Sequence, residues 1–319
     1  MLKLSNLLAG TAMVAALAVA APAGAFQLDS RFVDNDGDMV ADIPTDESEW
    51  VDPDTLIFAY TPVEDPAVYV DVWADFLDHL SSVTGKEVQF FPVQSNAAQL
   101  EAMRAGRLHI AGVNTGGNPL AVACAGFRPF AMMAAADGSF GYEMEFITYP
   151  DSGIESIEDL EGRTIAFTSE TSNSGFKAPQ ALLESEYGLF VDENYTPAFS
   201  GAHDNSILGV ANRDYDAAAI ANSVKGRMIE RDVVSEDDLV VIYQSDTFPT
   251  TGYGTVYNLH PDLQAAIQEA FFSFEWEGSS LAAEFGPSGE EQFIPITFEE
   301  NWSVIRQIDE AMGVSYACV

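Results

Sequence analysis

Residues 171–179 read TSNSGFKAP, a run whose side chains could hold an anion. Thr171, Ser172, Asn173 and Ser174 are small polar donors in succession, and Gly175 lets a ligand come close to the backbone. A strand-like run (RTIAFT, 163–168) precedes them and a helix-like run (APQALLES, 178–185) follows. A helix opening there leaves its first N–H groups without intrahelical partners. Those groups and the helix dipole favour negative charge. Pro179 lacks an N–H and suits a helix beginning. The alternative is a self-capped helix, which needs one such residue; four in succession exceed that need.

A second polar run is GAHDNSI, 201–207. His203 can donate to an anion, and Asp204 can accept from a cation or a hydroxyl. Asp204 is equally a good helix N-cap. A catalytic role for His203 requires a nucleophile within reach. No serine sits in a G-x-S-x-G elbow, and there is no phosphate-binding glycine loop of the Walker or dinucleotide type and no H-E-x-x-H. A third run, DNDGDMVAD (34–42), offers Asp34, Asp36, Asp38 and Asp42, with Val40 able to supply a backbone carbonyl. Alternating oxygen ligands around a turn suit calcium. The glycine comes two places earlier than in an EF-hand loop, and Thr45 stands where that loop has glutamate. A solvated acidic turn is therefore the competing reading. No other cofactor is called for.

The elements that must carry these runs alternate. LIFAY (56–60) reads as a strand, followed by a helix-spaced stretch over 69–80. EVQFFPV, a helix over 97–105 stopped by Gly106, and the strand LHIAGV (108–113) come next. Two strand-like runs flank Asp137-Gly138, after which strand and helix alternate again to about residue 248. From Pro261 the chain reads as largely helical. Such alternation implies α/β architecture with mainly parallel strands and right-handed crossovers. Ligands of open α/β sheets collect outside the strand C-termini, where the polar loops recur.

Composition bounds the class. Residues 1–25 combine Lys3, an apolar stretch over 7–20 and Ala23-Gly24-Ala25, which reads as a secretory signal peptide cleaved near Ala25. The apolar stretch is shorter than the ~20 residues of a membrane span, so a periplasmic, exported protein is expected. Two cysteines remain, Cys124 and Cys318; in an exported chain an even pair favours a disulfide. With 50 acidic against 13 basic residues the net charge is −37, which excludes nucleic acid as a partner and reads as an adaptation to saline surroundings. At high ionic strength that field is screened within ~10 Å, so an anion must be captured by short-range donors.

Three segments, FPVQSNAAQLEAMRAGRLHIAG, DSGIESIEDLEGRTIAFTSETSNSGFKAP and SGAHDNSILGVANRDYDAAAIANS, resemble the phosphate/phosphite/phosphonate-binding proteins of ABC importers, in order and over roughly 55–248. The resemblance implies a two-lobed type II periplasmic-binding-protein fold with mixed sheets and ligand in the hinge cleft. It implies lobe 1 over 55–145 plus 252–319 and lobe 2 over 146–251; the polar, acidic leader over 26–54 and the tail after Phe248 fit the family less well. It implies that Ser172, Asn173, Ser174 and Gly175 hold an oxyanion. His203 and Asp204 would face it, and Tyr60, Asn96, Asn114 and Thr115 would come from the other lobe. Tyr142 would serve the hinge or the pocket.

The chain departs from the family pattern where many members have tyrosines after strands two and three, here near Asn96 and Val113. Members that take an amino-phosphonate have a second acidic residue where this chain has Asn222 and Ser223. The expected role is that of a non-catalytic, monomeric solute-binding subunit delivering a small oxyanion to a membrane ABC permease. The competing roles are a receptor's ligand-sensing subunit and a secreted phosphoester hydrolase built on His203.

Overall fold

The computed structural model describes residues 26–318; the expected signal peptide lies outside them. Residues 55–134 form β1 (Thr55–Tyr60), α1 (Tyr69–Val72), α2 (Ala74–Thr84), β2 (Glu87–Phe90), α3 (Asn96–Arg104), β3 (Ile110–Val113), α4 (Asn118–Ala125) and β4 (Phe127–Ala134). The chain then builds β5 (Tyr142–Thr148), β6 (Thr164–Phe167), α5 (Ala178–Glu186), β7 (Thr196–Phe199), α6 (His203–Ala211), β8 (Ala217–Ala221), α7 (Asn222–Glu230) and β9 (Val240–Phe248). It returns through β10 (Gly252–Val256), α8 (Pro261–Ser273), α9 (Ser280–Phe285), β11 (Gln292–Pro295), α10 (Phe298–Asn301) and α11 (Ser303–Ala311).

Among the described residues the strands make two sheets, ordered β11-β4-β10-β3-β1-β2 and β7-β6-β8-β5-β9. Each holds three parallel strands (β2-β1-β3 and β7-β6-β8) extended by antiparallel ones. The inner parallel strands β1, β3, β6 and β8 are largely buried because helices cover both faces, whereas the edge strands β2 and β7 are partly exposed. β8 is the extreme case: AAAIA is buried along its whole length, and its small side chains admit α6 and the turn after β6 at close range.

The chain passes between the sheets at 135–141 and again at 249–251. The two crossings run side by side, since Tyr142 pairs with Phe248 in one sheet and Gly252 with Met132 in the other. Because β5 lies wholly in the second sheet, the expected lobe boundary after residue 145 falls inside that strand. The expected helical tail likewise contains a strand, β11, which pairs with β4 at the edge of the first sheet.

The first lobe is held by an aromatic core. Phe58 packs on Trp73 with ring centroids 4.6 Å apart, and Phe76 on Phe271 at the same separation. Phe58, Trp73 and Phe76 have no exposed surface, and each such side chain contributes about 1.5–3 kcal/mol through burial. The acidic leader wraps this lobe: Phe26 packs on Phe298 and Tyr316, Val51 bridges to Leu259, and Val40 enters the core. Cys124 of α4 and Cys318 are joined in a disulfide with Cα atoms 5.3 Å apart, which ties the C-terminal segment to the same lobe.

Candidate functional site

The loops after β1 and β3 of the first lobe meet those after β6 and β8 of the second around a cavity of about 60 Å³. One water needs roughly 10–15 Å³ on this measure, so the space suits a ligand of about five heavy atoms. The first lobe lines it with Tyr60, Asn96, Asn114, Thr115 and Glu290. The second supplies Thr168, Ser172, Asn173, Ser174, His203 and Arg227, and Tyr142, Thr250 and Thr251 stand where the chain crosses between sheets.

The polar turn is built as a helix start. After β6 the chain forms a single π-helical turn, Asn173–Lys177, which runs directly into α5. Such turns recur at functional sites. Ser172 caps it, its Oγ accepting the Gly175 N–H at 3.0 Å. Gly175 does not line the cavity. It lies beneath Thr168, and a Cβ there would stand 2.1 Å from Thr168 Oγ1, so glycine is required for packing. Asn173 Nδ2 donates to the Tyr142 hydroxyl at 3.2 Å. Asn173 Oδ1, Thr168 Oγ1 and Asn114 Oδ1 are buried without a hydrogen-bond partner among the described residues. Buried polar atoms are nearly always paired; of these three only the Thr168 hydroxyl can donate to an anion, because the two amide oxygens accept.

The lobes touch around this space. Asn96 Nδ2 donates to Thr171 Oγ1 at 3.1 Å, and the His203 N–H to the Val63 carbonyl at 3.1 Å. A Cβ on Gly116 would lie 2.5 Å from the Thr171 carbonyl oxygen and 2.6 Å from the Asn173 nitrogen, so only glycine admits this approach. Lys177 Nζ crosses to donate to the Gly116 carbonyl at 2.8 Å.

His203, at the start of α6, is buried and its role follows from its tautomer. Nδ1 faces the Ala221 N–H at 3.1 Å and therefore accepts. Burial, reinforced by the Arg227 charge, pulls its pKa down to about 3. The ring is thus neutral with its proton on Nε2, which lies 3.5 Å from Ser172 Oγ. In that state it donates toward the turn and cannot take a proton from Ser172. Asp204 does not line the cavity. Its carboxylate accepts from the Asp65 N–H at 3.1 Å and the Asn205 N–H at 2.8 Å, at the seam between the lobes. Its position one residue into α6 turns it away from His203.

Two charged cavity residues escaped the sequence reading, as did Thr168, Thr250 and Thr251. Arg227 lies on α7, is almost fully buried and meets Glu64 of the first lobe at 3.4 Å. Burial opposes its charge, but Tyr69, Glu64, Tyr60 and Glu290 more than offset this and hold its pKa above the ordinary arginine value. Glu64 also accepts from the Tyr69 hydroxyl at 2.5 Å and pairs with Arg231, while Glu284 receives Arg231 at 3.2 Å. The second is Glu290, between α9 and β11. A basic residue one helical turn beyond the polar loop ANS was a signal for Arg227, given only 13 basic residues in the chain. Glu290 sits in no motif.

The 34–42 run is placed in the leader, and none of its residues lines the cavity. Asp34, Asp36 and Asp42 bring carboxylate oxygens within 4.8 Å of one another, whereas Asp38 stands outside that cluster and accepts the Val40 N–H at 2.9 Å. Asp34 accepts from the Gly37 and Met39 N–H groups, and Asp42 from Asn35.

Comparison with known proteins agrees with this architecture. Residues 58–302 match the family model described as ABC transporter, phosphonate, periplasmic substrate-binding protein. The phosphate-import protein PhnD of Mycolicibacterium smegmatis is 26% identical over 287 residues, 83% of this chain and 85% of that protein. A binding-protein component of an ABC phosphonate transporter from Pseudomonas aeruginosa superposes with a TM-score of 0.72 at 22% identity, over 81% of this chain and 86% of that one. PhnD1 from Prochlorococcus marinus, solved in complex with methylphosphonate, gives 0.73 at 17% identity, over 82% and 99%. With a type II binding-protein fold and the family model matched across both sheets, the chain belongs to the periplasmic substrate-binding proteins of phosphonate ABC transporters.

Proposed function

We propose that this chain captures a small phosphorus oxyanion (a phosphonate, phosphite or phosphate) in the interlobe cavity and delivers it unchanged, as an exported monomer, to a membrane ABC permease. The observation that carries the reading is the meeting of the Ser172–Asn173–Ser174 turn with Arg227 around a cavity of about 60 Å³. A helix start and a guanidinium are the two groups best suited to tetrahedral oxyanions. The small volume favours phosphate, phosphite or methylphosphonate over larger esters. The His203 tautomer supports binding over hydrolysis, because the nitrogen facing Ser172 carries the proton.

The test is thermal unfolding of the mature protein against phosphate, phosphite, methylphosphonate, 2-aminoethylphosphonate, sulfate and taurine. A ligand at 100 times its Kd adds about 2.7 kcal/mol, which raises Tm by several degrees. Ser172→Ala with Ser174→Ala should abolish that shift. No shift with any phosphorus oxyanion would refute the reading.

A further inference from the structure

Beside the oxyanion cavity lies a second, apolar one of about 100 Å³, and the two share Asn96 and Asn114 as lining residues. Leu100 and Met103 of α3, Val113 of β3 and Leu120 of α4 wall it, and Thr171 of the second lobe borders it. The space exists because small residues stand where α3 and α4 face each other: Ala97 on α3, Gly117 just before α4 and Ala121 within it. Gln99, a polar wall residue, has its amide nitrogen engaged by the Gly112 carbonyl at 3.0 Å.

Such a space calls for an occupant. Close-packed interiors keep few voids larger than a water, and an empty apolar void forfeits the dispersion contacts of its lining. Water is a poor filler, because it needs about two to four polar partners. A chain of about four carbons fits the volume. The partition toward the oxyanion cavity is light. Asn96 Nδ2 donates to Thr171 Oγ1 at 3.1 Å and to Ser169 Oγ at 3.4 Å, and Asn96 Oδ1 accepts from the Thr61 hydroxyl at 3.1 Å. All three partners are hydroxyls, which rotate to follow a moved amide. Asn114 Nδ2 reaches the Thr171 carbonyl only at 3.4 Å.

We propose that the apolar cavity receives the organic substituent of the ligand, so that the chain takes phosphonates carrying a short unbranched alkyl group. The oxyanion stays with the 172–174 turn and Arg227, Asn96 turns aside, and the alkyl chain lies between α3 and α4. This rests on the oxyanion reading above and names the substituent; the oxyanion cavity by itself has room for nothing larger than a methyl group.

The walls also say what is refused. Propylphosphonate and 2-aminoethylphosphonate have the same length and differ in a terminal methyl against an ammonium. No residue lining the apolar cavity among those described is charged, so the ammonium would be buried without a partner, which is costly.

The experiment is calorimetric titration of the mature wild type, Ala97→Leu and Ala121→Leu with methyl-, ethyl-, propyl- and 2-aminoethylphosphonate. Each methylene that enters the apolar cavity should tighten binding about fourfold, so propylphosphonate should bind at least about tenfold tighter than methylphosphonate. 2-Aminoethylphosphonate should bind at least about tenfold more weakly than propylphosphonate. Leucine at either alanine fills the space and should bring the propyl-to-methyl affinity ratio down to about one or below. That ratio does not depend on how much of a variant is folded. Ala97 is exposed at the rim, so its variant keeps the test intact if the buried Ala121 position does not accept the added bulk. As a second readout, the isotope-labelled Met103 methyl, assigned through Met103→Leu, should shift its NMR signal with propylphosphonate and not with methylphosphonate.

Propylphosphonate bound no tighter than methylphosphonate would overturn the proposal. So would a preference for 2-aminoethylphosphonate, or a propyl-to-methyl ratio unchanged in Ala97→Leu. Wild type that binds no phosphonate, phosphate or phosphite would overturn the functional reading together with it, whereas methylphosphonate binding with no gain from a longer chain overturns the alkyl subsite only.

Discussion

Lys177 Nζ lies 2.7 Å from Asp309 Oδ1, so the last residue of the cavity-lining π turn is paired with the C-terminal helix of the opposite lobe. Both side chains are buried, and Asp309 Oδ2 also accepts from the Tyr316 hydroxyl at 2.7 Å. Burial pulls the Lys177 pKa below its ordinary value while Asp309 works to restore it. Removing one member of a buried pair leaves an unpaired charge and costs about 3–5 kcal/mol, whereas removing both costs less. We predict that Asp309→Asn destabilises by about 3 kcal/mol and weakens oxyanion binding, and that Lys177→Met with Asp309→Leu recovers much of the stability. A double-mutant cycle in urea checks this; strictly additive effects would show that the pair is not coupled.

Arg227 should matter more to affinity than any single hydroxyl. It is the cation lining the cavity among the described residues, and its charge is held by Glu64 and the neighbouring tyrosines. Arg227→Lys keeps the charge but loses the planar fork. The expected loss in methylphosphonate affinity is at least about tenfold for Arg227→Lys and larger for Arg227→Ala, in the range of 2–5 kcal/mol for a truncated buried charge. Calorimetric Kd values decide it, and an unchanged Kd in Arg227→Ala would remove the guanidinium from the site.

The folded state should lose stability in acid through His203. Its folded pKa, about 3, lies below the ordinary imidazole value of about 6.5, so its contribution is full above about 6.5 and is lost as pH falls toward 3. In that window the unfolded chain binds a proton that the folded one does not, at about 1.4 kcal/mol per pH unit. His203→Asn keeps an acceptor for the Ala221 N–H but does not titrate. Its stability relative to wild type should therefore improve steadily below pH ~6.5. Parallel stability–pH curves for the two proteins would contradict the neutral, buried imidazole.

Calcium at the 34–42 turn is tested separately, since none of its residues borders the cavity. Millimolar calcium should raise Tm by a few degrees through mass action, and Asp34→Asn with Asp42→Asn should remove that increment while leaving oxyanion affinity unchanged. Equal Tm with calcium and with chelator would identify the run as a solvated acidic turn.

Much of the architecture was legible because it is local. The alternation of apolar runs with helix-spaced ones announced two α/β units, and the strand-to-helix position of TSNSGFKAP announced a helix N-terminus open to an anion. Ser172, Asn173 and Ser174 act through backbone geometry that their own neighbours dictate, so their place could be read without the rest of the chain. Other features depended on which distant segments meet. Asp204 looked like a ligand-facing acid beside His203, yet consecutive helical residues point about 100° apart, and its carboxylate turned to the Asp65 N–H. Arg227 and Glu290 lie 63 residues apart and border one cavity only because the chain crosses between its sheets twice and the lobes close on each other. The sequence by itself determined the class of fold and the polar turn at the start of α5, since both follow from short-range periodicity and helix-end chemistry. Tertiary structure decided which charges line the cavity, because burial and proximity, not residue type, keep Arg227 charged and His203 neutral and push the Glu290 carboxyl up.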